Sequence, residues 1–213
     1  MNESFIYLIG ATRGTGLEVA RILRAAAQPM VALVRSTADI SELAFANAKI
    51  VRGDVLDRAS IEDSISGSAA IISTLGGKRG VPRPDFDGTR NLVDAALAAG
   101  VNRFILVSAA GIGDSHASIS EQAHQFLDPV LEIKAKAENY LIDSGIDYTI
   151  IRPGALDSEP ASGNGMLTDD PTVGGTIHRA DLARLVVYCL DNPGSSRKIF
   201  NAVDRDLIGT TPL

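Results

Sequence analysis

Three glycines separate an apolar run from an amphipathic one in the stretch YLIGATRGTGLEVA, residues 7–20. Glycine weakens the interior of helices and strands alike, so a cluster of them at a boundary marks a place where backbone must come close to something. The preceding SFIYLIG reads as a buried strand, and the following GLEVARILRAAA has the apolar spacing of an amphipathic helix. Such a turn, inside a βαβ unit ending near Arg35, offers unpaired helix amides and a partial positive charge to a pyrophosphate. Gly10, Thr12, Arg13, Gly14, Thr15 and Gly16 are therefore the expected cradle of a dinucleotide.

The same alternation continues along the chain. MVALVR, KIVRGDV, AAIISTL, RFILVSA and YTIIRPG read as strands, and ISELAFA, RASIEDSIS, GTRNLVDAALAAG, PVLEIKAKAENYLIDSG and ADLARLVVYCL as helices. This order predicts one α/β domain over residues 1–213, a doubly wound Rossmann-like fold with a mostly parallel sheet of about seven strands. Two stretches break the rhythm after strands, 76–85 and 154–176, and they fall where a binding rim is expected. The acceptor-side rim is assigned to 109–130 and 154–176. At 213 residues and 45% hydrophobic, the chain can fill one core. Its 20 basic and 26 acidic residues argue against nucleic-acid binding, which needs a positive surface. The single cysteine, Cys189, lies in an apolar helix and reads as a small buried hydrophobe, leaving no disulfide framework or metal cluster. No signal-peptide pattern and no membrane-length apolar run is seen, so a cytoplasmic protein without a membrane partner is expected.

The end of the second strand selects the cofactor. An acidic residue there commonly binds the ribose hydroxyls of NAD, but this chain has Arg35. A guanidinium at that place suits a ribose 2'-phosphate, and Arg13 can reach the same group, so NADP(H) is the expected cofactor. Asp39 lies too far along to serve as the missing acid.

With GATRGTG, the segments GDVLD (53–57), STLGG (73–77), FILVSAAG (104–111), IKAKAENYLIDSGIDYTIIRPGAL (133–156) and IHRADLARLVVYCL (177–190) together resemble the atypical short-chain dehydrogenase/reductases. The similarity is to their small NAD(P)H-binding members of the biliverdin reductase B and NmrA-like kinds. The resemblance implies that Asp54 and Val55 flank the adenine. Thr74, Leu75 and Gly76 would line the ribose side, Lys134 would contact the cofactor, and Pro153, Gly154, Ala155 and Leu156 would pass beside the nicotinamide. Arg13 replaces the middle glycine usual in these small proteins, a pattern closer to the NADP-dependent enzymes of the superfamily's main branch.

In that main branch a tyrosine four residues before a lysine protonates the substrate carbonyl, and a serine positions it. Ser108 and Lys134 match the serine and lysine, but the residue four before Lys134 is Val130. The usual general acid is missing. His116 and His124 are candidate replacements, because histidine titrates near neutrality. His178 reads as structural, and Glu138 with Arg152 as an ion pair. The leading expectation is an NADPH-dependent reductase of a small electron-poor acceptor such as a flavin, quinone or conjugated carbonyl. Two alternatives stand beside it: a non-catalytic NADP(H) sensor of NmrA-like type acting through a protein partner, and a nucleotide-sugar epimerase or dehydratase.

Overall fold

A computed structural model describes residues 4–44, 48–77 and 84–209. Residues 78–83 of the expected 76–85 rim lie outside these. The first half runs β1 (Phe5–Ile9), α1 (Gly14–Ala25), β2 (Met30–Val34), α2 (Ser41–Ala44), β3 (Lys49–Arg52), α3 (Arg58–Ile65), β4 (Ser68–Ser73) and α4 (Asp85–Ala99). The second runs β5 (Arg103–Val107), α5 (Glu121–Asp143), β6 (Asp147–Pro153), β7 (Ala155–Asp157), β8 (Gly165–Thr168), β9 (Thr176–His178), α6 (Arg179–Asp191) and β10 (Lys198–Asp204).

Eight strands form the main sheet in the order β3-β2-β1-β4-β5-β6-β10-β8, all parallel except the β10–β8 pair. β1, β2, β4 and β5 are apolar and buried along nearly their whole length because both faces of the sheet are covered there, while the edge strand β3 is partly exposed. Ile6 and Leu8 of β1 point to one layer with α1 and α6, where Val19, Leu23, Leu182, Val186 and Cys189 are buried. Tyr7 and Ile9 point to the other, with Ile61, Leu92, Val93 and Leu141 of α3, α4 and α5. Cys189 is a buried hydrophobe, as expected, and burial pushes its thiol pKa up.

The strand count exceeds the expected seven because two strands lack a recognisable pattern. β10 lies beyond the last helix, and β8 is four half-buried residues inside the stretch read as irregular. The 154–176 segment is therefore partly ordered: β7 pairs in parallel with β9, and β8 extends the main sheet. Helix α5 begins eight residues before Pro129, where the sequence pattern starts it. The Ser120 hydroxyl caps it by accepting the Ala123 amide at 3.2 Å. Proline is costly inside a helix, so a reading by breakers stops at it. Among the described residues no helix is long and apolar enough to cross a membrane.

Two polar contacts hold the site-bearing half together. The buried Arg152 guanidinium of β6 meets Glu138 of α5 at 2.7 Å, the expected pair, and also Asp114 at 2.5 Å. His178 Nδ1 lies 2.5 Å from Asp157 Oδ1, joining the end of β9 to β7, and its Nε2 lies 4.0 Å from Asp204 of β10. The Asp157 hydrogen bond raises the His178 pKa, and the same bond lowers that of Asp157.

The raised histidine pKa makes this contact stabilising in full below the unfolded value of about 6.5 and weaker as the pH rises through the folded value. The lowered carboxyl pKa removes its share only in the acid range, below about pH 4. His178→Gln is expected to lower the melting temperature by more at about pH 6 than at about pH 9. An equal deficit at both would show that the imidazole carries no proton in the folded protein.

Candidate functional site

Strand order reverses between β1 and β4, and the crevice beyond their carboxyl ends is where open α/β sheets bind ligands. A cleft of about 980 Å³ opens there, at the upper end of the usual size for small-molecule sites.

The glycines at its floor do different work. Gly10 has φ +84°, and a Cβ on it would stand 2.4 Å from Thr74 Oγ1; a Cβ on Gly16 would stand 2.3 Å from the Gly10 carbonyl oxygen. Thr74 in turn donates from both N and Oγ1 to the Ile9 carbonyl, at 3.0 and 2.9 Å. Gly10, Gly16 and Thr74 therefore form a compact knot in which nothing larger fits. Gly14 differs. Its φ is +54°, and a Cβ would meet only the Arg179 side chain, at 3.5 Å, so its surroundings are open cleft. No side chain caps α1 at Arg13 and no acid sits in its first turn. The first amides of the helix are thus left to a ligand, with the positive end of the dipole behind them.

Arg35 at the β2 end of the cleft and Arg13 in the β1–α1 turn are both exposed on its wall. The backbone after Arg35 is held by Arg52 of β3, whose Nη1 donates to the carbonyls of Arg35 at 2.9 Å and Ala38 at 3.0 Å. Sequence reading missed Arg52; its signal was a cation at a strand's carboxyl end. Asp39 Oδ1 accepts the Ser41 amide at 2.9 Å, beside α2, which accounts for its carboxylate. Asp54 Oδ1 accepts the Leu56 amide at 3.0 Å, and a Cβ on Gly88 would stand 2.8 Å from the Val55 side chain. Asp54 and Val55 both line the cleft, as do Thr12, Thr15, Thr74, Leu75 and Gly76.

At the β5 end, the Ser108 amide donates to the Ile151 carbonyl at 2.7 Å, while its buried hydroxyl has no hydrogen-bond partner. Lys134 of α5 reaches the same wall, its Nζ 2.9 Å from Asp85 Oδ1 and 3.3 Å from the Leu75 carbonyl oxygen. Asp85, the 2%-exposed first residue of α4, was not singled out by sequence; at that burial a carboxylate needs a partner, and the lysine supplies it. Pro153, Gly154 and Leu156 complete this end.

Three expectations need correction. Ala155 does not line the cleft: it opens β7 and pairs with Thr176 of β9, and strand alternation turns it from the wall its neighbours face. His116 and His124 do not line it either. Their rings stack 3.8 Å apart, and buried His124 is held by Asp128 at 2.8 Å and the His116 carbonyl at 3.0 Å. Those bonds, the His116 carbonyl first, raise the His124 pKa but keep it away from the cleft. No tyrosine lines the cleft. Tyr7 OH meets Ser64 Oγ and Tyr140 OH donates to Asp94, each at 2.7 Å.

A crevice with a glycine-bounded helix end, cations on that turn and after β2, and a buried hydroxyl beside a lysine at the far end defines a dinucleotide-binding protein. The chain belongs to the NAD(P)H-binding family, whose profile matches residues 10–193. It is similar to the uncharacterized sugar epimerase YhfK of Bacillus subtilis, 31% identical over 208 residues that span 94% of each chain. Over 55% of its length it is 37% identical to the sanguinarine reductase of Eschscholzia californica, of which 44% is covered. Among solved structures, the anaerobilin reductase ChuY of Escherichia coli O157:H7 superposes with a TM-score of 0.87 at 29% identity, covering 99% of this chain and 100% of that one. The resemblance to atypical short-chain dehydrogenase/reductases therefore holds, and this is an NAD(P)H-binding protein of reductase-like fold.

The two kinds of glycine should separate by experiment. Gly14→Val places a branched side chain in the open cleft and is expected to weaken NADPH binding at least about tenfold. Its left-handed backbone adds about 1–2 kcal/mol of strain, which a domain of ordinary stability survives. Gly16→Ala instead drives a methyl group into backbone and should lower the melting temperature by several degrees, since overpacking costs roughly 1–3 kcal/mol. Calorimetry and circular dichroism read both; near-normal NADPH binding by folded Gly14→Val would show that the loop does not cradle the nucleotide.

Proposed function

We propose that this protein is an NADPH-dependent reductase that passes hydride to a small electron-poor acceptor: a flavin, a quinone or a conjugated carbonyl. The observation that carries the reading is the contrast between the two ends of one cleft. Arg35 at the β2 end and Arg13 in the neighbouring β1–α1 turn present two guanidinium groups without an ion-pair partner among the described residues. At the β5 end a buried hydroxyl, Ser108, stands without a hydrogen-bond partner beside Lys134. Paired arginines match a ribose 2'-phosphate, and a buried polar atom without a partner is costly unless a ligand completes it.

NADPH, when bound, supplies the hydride. The chain's own residues do the rest. The α1 amides and the arginines fix the phosphates; Lys134, immobilised by Asp85, holds the ribose hydroxyls at the reacting end. The Ser108 hydroxyl donates to an acceptor oxygen or nitrogen and orients it, while Pro153, Gly154 and Leu156 cover the opposite side and exclude water. Val130 supplies no proton. Reduction of an isolated ketone builds full charge on one oxygen and relies on a positioned acid, typically worth about 10²–10⁴-fold in rate. A flavin or quinone spreads the charge and takes its proton from water afterwards.

The epimerase or dehydratase alternative is not favoured, because such enzymes usually keep the tyrosine that Val130 replaces in this chain. The cytoplasm is the location this reading assigns.

The test is NADPH oxidation against a panel of flavins, quinones, aldehydes and ketones. Flavins and quinones are expected to turn over much faster than simple ketones. NADPH is expected to be preferred to NADH by roughly 10–100-fold, with Arg35→Asp inverting that preference. Efficient turnover of an unactivated ketone would contradict the acceptor class, and tight NADP(H) binding without any turnover would replace the reductase by a sensor acting through a protein partner.

A further inference from the structure

We infer that Arg179 clamps the dinucleotide's pyrophosphate from the side opposite the α1 amides, an inference that rests on the NADP(H) reading above. Arg179 is the first residue of α6, outside every segment that the glycine turn and the resemblance assign to the cofactor. Yet its side chain lines the same cleft as Arg13, Gly14 and Gly154. A Cβ on Gly14 would stand 3.5 Å from both Cδ and Nε of Arg179, so the arginine lies across the helix start on the side that glycine leaves open.

Its position is fixed from two directions. Helix α6 packs alongside α1, which sets the distance between the arginine's own backbone and the glycine turn. At the other end of the side chain, Nη1 donates to Ser158 Oγ at 2.9 Å. A guanidinium carries five N–H donors in a rigid plane, so this bond orients the fork while leaving donors for a ligand. The Asp157 carboxylate feels the guanidinium, but its short hydrogen bond goes to His178.

Place along the cleft decides which part of the ligand Arg179 meets. The carboxyl ends of β2, β1, β4 and β5 follow one another across the sheet. Arg35 stands at the β2 end and Ser108 at the β5 end, and the β1–α1 turn that Arg179 faces lies between them. A dinucleotide stretched along that line has its pyrophosphate in the middle. The helix terminus supplies only partial charge to a group carrying two negative charges, and the full charge of Arg179 complements it from across the cleft. Arg179 would therefore act on NADP and NAD alike, whereas Arg35 would act on NADP alone.

Calorimetric titration of NADP⁺, NAD⁺ and 2'-AMP into the protein and its variants tests this. Arg179→Ala is expected to weaken NADP⁺ and NAD⁺ by the same factor, roughly 10–100-fold, and to leave 2'-AMP unchanged, since that probe has a 2'-phosphate and no pyrophosphate. Arg179→Lys should recover part of the loss, and Ser158→Ala should cost both dinucleotides a few-fold through misorientation. Arg35→Ala should weaken NADP⁺ and 2'-AMP and spare NAD⁺. Unchanged dinucleotide affinity in Arg179→Ala, a loss confined to NADP⁺, or an effect confined to the KM of an anionic acceptor would each overturn the inference. Should Arg179→Ala fail to fold, Arg179→Lys and Ser158→Ala carry the same comparison, and equal NAD⁺ affinity in both and the unaltered protein would overturn it. Failure of the unaltered protein to bind either dinucleotide would defeat the functional reading itself.

Discussion

The site depends on the approach of three backbone pieces at the point where the sheet reverses order. The Ile9 carbonyl accepts two bonds from Thr74, Gly10 presses on Thr74, and Gly16 presses on Gly10. This knot locks the end of β1 to the end of β4 and draws the start of α1 down onto both. The helix terminus then has one direction to face, which is the cleft. Of the three glycines in the turn, only Gly14 keeps open space on the side where a Cβ would project, so the packing that builds the fold also defines where a phosphate can lie.

The rest of the cleft is a graded series of polar groups set on that frame. Cations at the β2 end stand in solvent, where screening makes each worth little until a multiply charged ligand engages several together. Toward β5 the groups become buried and fewer. The Asp85–Lys134 pair is almost fully enclosed, so its two charges act on each other with little screening by solvent. That pair fixes the lysine where a sequence pattern can only nominate it. Arg52 plays the matching part at the other end, holding the turn that carries Arg35 with bonds to two well-placed carbonyls.

What the sequence disclosed follows the range of the interactions involved. Strand–helix alternation is local, and it delivered the fold class and five of the helices close to their places. The glycine turn is local too, so Gly10 to Gly16 could be read directly. The order of the β10 and β8 edge, the ordered pieces within 154–176 and the two turns of α5 before Pro129 depend on partners far along the chain, and their residues carry no periodic signal. The site divides the same way. Ser108, Lys134, Arg35 and the 74–76 and 153–156 segments came from motif or resemblance, with Ala155 alone falling off the wall because a motif does not state which way a strand residue faces. Asp85, Arg52 and Arg179 are not singled out by the sequence, since each lies against a partner 14 to 165 residues away that only folding brings near.

The central claim, that the ends of β1, β2 and β4 form one dinucleotide site, is tested most directly by backbone hydrogen exchange with and without NADPH. The account predicts slowed exchange in the segments 10–17, 33–38 and 73–77 together, with 85–99 of α4 and the β8–β10 edge changing little. Protection absent from those three segments, or appearing instead around the stacked histidines at 116 and 124, would contradict it.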